Sequence, residues 1–531
     1  MITRRSFMGR TAALLAATTA LSTLGSFWAK EAKAFRLPMY DTSLLEGVSN
    51  KLPIPPILEP SREVEGVIEF DIECQWGEVE FLPGLKTQTM GMNSPYLGPL
   101  IPLVKGKYYR FNFYNNLPEQ TAIHWHGMHV PPEHDGGVHQ AFDPGESWHP
   151  EFEVKNNEGV YLYHTHHMHR TAEEAYYGLA GGIVVLDPEL ADLQIPKGLG
   201  VDDFPIVIQD KSFHADGSLQ YDLDIPTMLL GHRGDVILVN GVVNPYIEAT
   251  TTFVKLRLVP VGGARYWCFK FEDGRPFYQL TTDGGYMEKP VKLTEIPMTP
   301  AERAEIVVEV QPGETLNLIS VPWEQNHEYI RDLAELMSTP ERTYLDDSQT
   351  LKILEIRAAD ELEQSPPLPE RLLETLVMPD EANAVREREF VIEMDMMDMN
   401  ENPGDARTAR FSQALKINGK TFDKDRIDEY CMVGDTEIWA FTNASSMPHN
   451  MHLHDLSFKI LDRNGNPPEP YEMGLKDTFN MDPGDTVRVV CEFKDYVHET
   501  LPYMYHCHIL EHEDQGMMGQ FAVVGAPDRA S

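Results

Sequence analysis

The thirteen residues from His506 to Met518, HCHILEHEDQGMM, restrict this chain more than any other stretch. Cys507 stands between two histidines, His512 follows five residues later and Met517 ten residues later. Side chains alternate faces along a β-strand, so His506 and His508 project to one side and Cys507 to the other. One tripeptide can then serve two metal centres. A thiolate with imidazole and a thioether as weak axial ligand is the donor set of a blue-copper site. This assigns Cys507, His512 and Met517 to one metal and His506 and His508 to another behind it.

Ten of the 20 histidines fall in four short clusters, of which this is the last. TAIHWHG places His124 and His126 two apart, and YHTH repeats the spacing at His164 and His166. HNMHLH supplies His449, His452 and His454. On strands, each i, i+2 pair presents two imidazoles to one face. Three such pairs with His506 and His508 give eight imidazoles, too many for one metal and suited to three. His449 is left over and provides the second imidazole that Cys507, His512 and Met517 require.

At 531 residues the chain exceeds a single core, and about three domains are expected. Runs such as Glu63 to Glu80, Tyr108 to Leu117, Lys255 to Val259, Thr436 to Thr442 and Asp485 to Phe493 alternate apolar and polar residues between Gly, Pro and Asn punctuation. That is strand grammar, and it predicts an all-β sandwich or barrel architecture. A charged patch from Asn326 to Arg342 tends to helix and reads as an insertion. The composition divides the chain into a leader at 1–34, domains at 35–195, 196–357 and 387–531, and a Pro- and acid-rich connector at 358–386.

The leader carries a twin-arginine pattern at Thr3 to Phe7, an apolar segment from Ala12 to Trp28 and a small-residue cleavage site at Ala32 to Ala34. It predicts export in the folded state to the periplasm or another extracytoplasmic space, with no stable membrane insertion of the mature chain. A formal charge of −39 disfavours nucleic acid as a partner. It would also concentrate cations, although a saline or solubilising origin explains it equally. Besides Cys507 there are Cys74, Cys268, Cys431 and Cys491, which allow from none to two disulfides. Cys491, in an alternating run, reads as buried packing.

HWHG, YHTH, HNMHLH and HCHILEHEDQGMM stand in the order and spacing of three-domain multicopper oxidases, and the chain resembles that family over essentially its whole mature length. Laccases, bilirubin oxidases and periplasmic cuprous oxidases belong to the group. Thr282 to Gly285 and Pro300 to Glu305 also resemble its second domain. The resemblance implies three cupredoxin-like domains, each a Greek-key β-sandwich or barrel, and four copper ions. His449, Cys507, His512 and Met517 would hold the type 1 copper, and His124 and His452 the type 2 copper. His126, His164, His166, His454, His506 and His508 would hold the type 3 pair. The trinuclear cluster would lie between the first and third domains, with the second as a spacer.

Four one-electron oxidations at the type 1 site would then feed the reduction of dioxygen to two waters, with electrons passing through Cys507. Asp135 and Glu513 match acidic positions that the family uses near the cluster and are expected to relay protons. Two departures are present: Asp455 replaces the glycine that often follows the third-domain H-x-H, and HNMH replaces HPxH.

The electron donor is less legible. Met394 to Met399 form an acidic methionine run, and Met447 matches a substrate-copper position of cuprous oxidases. Thioethers suit Cu(I), making Met396, Met397 and Met447 candidates for it, but methionine runs also serve as core packing. The long methionine-rich insert of those enzymes is absent, and Ser445 stands where they carry an acid. His167 and His169 extend YHTH as extra ligands or as a surface run. Donors to be weighed are phenols, Cu(I), Fe(II), Mn(II) and bilirubin, acting on what is expected to be a monomer. A copper nitrite reductase is disfavoured by the full set of eight histidines. A non-catalytic relative of the cell-division type, which keeps the domains and loses ligands, is the reading of a different class.

Overall fold

The computed structural model describes residues 37–323, 327–338, 344–394 and 414–525. Six sheets pair around three apolar cores. In the first unit, strands Val67–Leu82, Leu85–Met92 and Tyr108–Asn115 face a sheet of Ile101–Val104, Ala180–Leu186, Gly159–Thr165 and Ile123–His126. The run expected as one strand from Glu63 to Glu80 is a hairpin, Arg62–Val64 with Val67–Leu82. Glu65 and Gly66 both take positive φ, 54° and 85°, which is the backbone of a tight two-residue turn.

The second unit joins a seven-stranded sheet, including Phe253–Pro260 and Ala304–Glu309, to a six-stranded one. Asn50–Lys51 crosses from the N-terminal segment to pair with Pro245–Thr251 in the latter. Strand Leu351–Glu363 continues past the composition change at 358, and the next strand begins at Ala384, because backbone pairing outlasts the apolar pattern that marked the boundary. Helix His327–Met337 occupies the charged patch, and its Ile330, Ala334 and Met337 pack on Met228, Leu229, Leu230 and Met447. The third unit sets Ala384–Met394, Thr436–Asn443 and Thr486–Glu492 against Tyr503–Cys507, His449–Leu453 and Met518–Val524.

All five cysteines are buried free thiols, so none of the allowed disulfides forms, and Cys491 lies in the third core as expected. No helix among the described residues is long and apolar enough to cross a membrane. The leader and the candidates Met396 and Met397 lie outside the described residues.

Alternation puts each motif to double use. In HWHG, Trp125 packs into the first core, its ring 4.4 Å from that of Phe111, while His124 and His126 turn to the other face. Strand pairing places His164 opposite His124 and His506 opposite His452. Met451 pairs with Cys507 on the opposite face, toward the third core. The odd spacing between His449 and His452 thus sends His449 to the cysteine face and His452 to the other.

Candidate metal centre

Two donor sets result. In the first, Cys507 Sγ lies 3.5 Å from His449 Nδ1 and 3.7 Å from His512 Nδ1, and the two nitrogens are 3.2 Å apart. Their outer nitrogens are anchored. His512 Nε2–H donates to the Leu229 carbonyl at 2.9 Å, and His449 Nε2 meets Ser445 Oγ at 2.9 Å. With Nε2 engaged, the Nδ1 lone pairs face the sulfur. Met517 is fully buried in the same core, and its carbonyl accepts the Cys507 N–H at 3.0 Å. Burial pushes the Cys507 thiol up to about 12 and holds His512 down to about 4.

The second set gathers the eight remaining histidines between the first and third units. His126, His164 and His508 bring one donor atom each within 4.8 Å of one another; His166, His454 and His506 form a second trio, and His124, His452 and His454 a third. Rings from the two units stack, His124 on His454 at 3.7 Å and His126 on His452 at 3.6 Å between centroids. Only the first member of three of the pairs sits within a strand. His166, His454 and His508 lie one residue beyond a strand end, where their N–H groups bond to the carbonyls of Ala122, Met504 and Asn450.

Hydrogen bonds at the outer nitrogens set the tautomers. The Nδ1 atoms of His124, His164, His452 and His506 meet the backbone carbonyls of Asp135, Thr165, Asp477 and Cys507 at 2.7–3.1 Å. His454 Nδ1 meets Asp135 Oδ2 at 2.8 Å. Inside, nitrogens of His454 and His506 stand 3.2 Å apart, and those of His166 with His506 and of His164 with His508 stand 3.4 Å apart. His124 Nε2, His126 Nδ1 and His452 Nε2 are buried with no hydrogen-bond partner. Burial first, and neighbouring imidazoles next, hold His166, His454 and His508 well below the ordinary histidine range, and His164 falls to about 3. Neutral, converging and unpaired nitrogens are the state that ligates metal, so the residues fit bound copper.

The two expected acids are at the cluster. Asp135 is buried and bonds His454, as above. Glu513 reaches within 3.3 Å of His506 Nδ1 and 3.6 Å of His166 Nδ1, and burial pushes its carboxyl up to about 8. Met447 is buried under the helix at 327–337. His167 and His169 join neither donor set. Each is held by one outward bond, to Glu174 Oε1 and to the Asp514 carbonyl, both at 2.7 Å.

Both departures from the family pattern are built in. Asp455 takes φ 65° and pairs with His129 at 2.7 Å, and Asn450 reaches the Pro300 carbonyl of the second unit at 3.0 Å. Sequence reasoning missed Asp477, Thr478 and Arg303. Asp477 Oδ1 and Thr478 Oγ1 each lie 3.2 Å from His126 Nε2. Arg303 falls in the stretch Pro300 to Glu305 that resembles the family's second domain, but nothing there marks its partner, and Thr478 is placed by its register opposite His452.

Comparison with known proteins follows the same lines. Two multicopper oxidase family models match residues 73–190 and 392–526, the segments that hold the histidine motifs. The chain is 31% identical to the multicopper oxidase mco of Staphylococcus aureus, over 89% of this chain and 92% of that protein. It is also 33% identical to the cell division protein FtsP of Xenorhabdus nematophila, with the same two coverages. Among solved structures it is similar to the laccase-like multicopper oxidase CueO of Ochrobactrum sp., with a TM-score of 0.78 and 32% identity over 89% of this chain and 100% of that one.

Proposed function

The chain belongs to the multicopper oxidase family, and we propose that it oxidises a one-electron donor and passes the electrons to dioxygen. One observation carries the reading: all ten histidines and Cys507 converge in two sets, with buried ring nitrogens that no protein group satisfies. A type 1 copper on His449, Cys507, His512 and Met517, a type 2 copper on His124 and His452, and a type 3 pair on His126, His164, His166, His454, His506 and His508 would supply one-electron transfer and the four-electron reduction of dioxygen to water.

The chain's own residues define the routes. Cys507 is covalently continuous with His506 and His508, so a single tripeptide joins the two donor sets. Glu513 stands beside His506 and His166 as the carboxyl that would carry protons to the cluster, and Asp135 orients His454 from the other side. The donor meets the His512 edge through the Leu229 carbonyl, beneath Ile225–Leu230 and His327–Met337. Phenols and Cu(I) are the donors this edge suits, the latter through Met447 and, outside the described residues, Met396 and Met397. The twin-arginine leader supports folded export to the periplasm or another extracytoplasmic space, where the protein would act as a monomer.

Copper analysis and oxygen uptake test the reading together. Reconstituted protein is expected to hold four coppers, show the intense thiolate-to-copper absorption, and consume oxygen with Cu(I), Fe(II), Mn(II), a phenol or bilirubin. Copper-free, colourless protein after reconstitution would support the non-catalytic alternative that the FtsP relatives raise. If alanines at Met396, Met397 and Met447 leave Cu(I) turnover unchanged, the cuprous site is dropped and the phenol reading stands.

A further inference from the structure

At one point beside the histidine cluster all three units meet. Arg303, on the second, is completely buried and grips Asp477 of the third with both arms of its guanidinium, Nη1 to Oδ1 at 2.7 Å and Nη2 to Oδ2 at 2.6 Å. The first unit closes over this pair with Gly127, the glycine of HWHG. A Cβ there would lie 2.4 Å from Arg303 Nη2 and 2.4 Å from Asp477 Oδ2. Arg303 is itself fixed in place. Its Nη1–H donates to the Ala301 carbonyl at 3.0 Å, its Nη2–H to the Asp283 carbonyl at 2.9 Å, and its backbone N–H to Asp283 Oδ1 at 2.7 Å.

We propose that Arg303 is a positioning residue for the histidine cluster, acting through Asp477 and Thr478 on His126 and His452. The inference rests on the oxidase reading above and takes the second domain beyond a spacer. Asp477 Oδ1, held by Arg303, lies 3.2 Å from His126 Nε2, and Thr478 Oγ1 lies 3.2 Å from the same nitrogen. These contacts make Nε2 the protonated nitrogen and leave Nδ1, buried and unpaired, turned to the donor set. The Asp477 carbonyl meets His452 Nδ1 at 2.9 Å, and Thr478 Oγ1 meets it at 3.2 Å. One dipeptide therefore orients two stacked imidazoles, one from each outer unit.

Lys476 bonds Glu302 at 2.5 Å and Asp283 at 2.9 Å, so this buried group counts Arg303 and Lys476 against Asp283, Glu302 and Asp477. Arg303 balances Asp477 and Lys476 is shared between Asp283 and Glu302, so the carboxylate in excess lies on the Lys476 side and Asp477 meets His126 as an anchored acceptor of its Nε2–H. A lysine cannot reproduce a two-armed grip on a carboxylate, which makes Arg303→Lys informative.

The test compares Arg303→Lys and Thr478→Val with wild type by copper competition titration, by electron paramagnetic resonance of the type 2 Cu(II), and by thermal unfolding of the copper-free protein. Losing such outer contacts should weaken copper binding at the cluster about 10- to 100-fold. The type 2 hyperfine pattern should shift while the Cys507-dependent absorption stays unchanged. Thr478→Val removes only the hydroxyl, so it serves even if Arg303→Lys fails to fold. Unchanged cluster affinity and an unchanged type 2 signal in the folded variants would reduce Arg303 to a domain staple and overturn the proposal. Wild-type protein that takes up no copper would overturn the oxidase reading as well, whereas four coppers with insensitive variants would overturn only this one.

Discussion

Gly127→Ala puts a number on the three-unit junction. Gly127 has φ +81°, and an L-residue forced into the left-handed region costs about 1–2 kcal/mol. The new methyl would stand 2.4 Å from a charged nitrogen and 2.4 Å from a carboxylate oxygen, roughly 1 Å inside the 3.5 Å of a favourable contact. Either Arg303 or Asp477 must retreat, and displacement of that order breaks their 2.6 and 2.7 Å bonds. Breaking a buried ion pair costs about 3–5 kcal/mol, so the total is about 4–7 kcal/mol. At roughly 2–4 °C per kcal/mol for a domain of 150–250 residues, the copper-free melting temperature should fall by about 10–20 °C. Gly145→Ala is the control, because Gly145 has φ +79° and open space around its Cβ position. It carries the backbone strain alone, about 1–2 kcal/mol. If calorimetry gives the two variants equal losses, the close approach over Arg303 and Asp477 is wrong.

Three further outcomes follow from the same geometry. Cys507→Ser should bind one copper fewer than wild type, lose the intense absorption and lower donor-driven oxygen uptake to background, as metal analysis and an oxygen electrode would show. Glu513→Gln keeps the shape of the side chain without its proton; turnover should fall about 10²- to 10⁴-fold, the usual worth of a positioned proton donor. In the copper-free protein, the Glu513 carboxyl is held up to about 8 from an ordinary 4.5, so the stability it contributes is present below 4.5 and lost as pH rises through 8. The glutamine variant should flatten that part of the melting profile. Lys211 shows the opposite sign: burial lowers it from 10.5 to about 7, so the unfolded chain binds more protons between these values and stability rises with pH across the window. Lys211→Met removes that dependence, so its stability relative to wild type should fall by about 4 kcal/mol from pH 7 to pH 10.5, at about 1.4 kcal/mol per pH unit across the window, with the contact to Tyr176 lost throughout.

The donor sets were legible because each is written locally. An i, i+2 histidine pair is a statement about one strand face, and Cys507 between two histidines already states that one strand serves two sites. Even the split of HNMHLH follows from parity, since His449 shares a face with Met451 and His452 does not. Register against the opposite unit is not local, and there the sequence falls silent. Asp477 and Thr478 sit in a four-residue strand, Thr478–Met481 and the residue before it, with no cluster to mark them. Arg303 lies 174 residues before its carboxylate partner. The Leu229 carbonyl that orients His512 belongs to the backbone, which no side-chain pattern can announce.

The same distinction explains Gly127. In HWHG the two histidines declare their chemistry by type, while the glycine declares only an absence of side chain. What requires that absence is an arginine and an aspartate from two other units, brought over it by folding. A motif of four residues is therefore set by two constraints of different range. The histidines answer to the metal proposed between the two outer units, and the glycine answers to the clasp that joins those units. If the clasp is what holds His126 and His452 face to face at 3.6 Å, Gly127→Ala should loosen copper at the cluster as well as lower the melting temperature, and Gly145→Ala should leave copper affinity untouched. Loss of stability in Gly127→Ala with full cluster affinity would separate the two constraints and confine the glycine to domain docking.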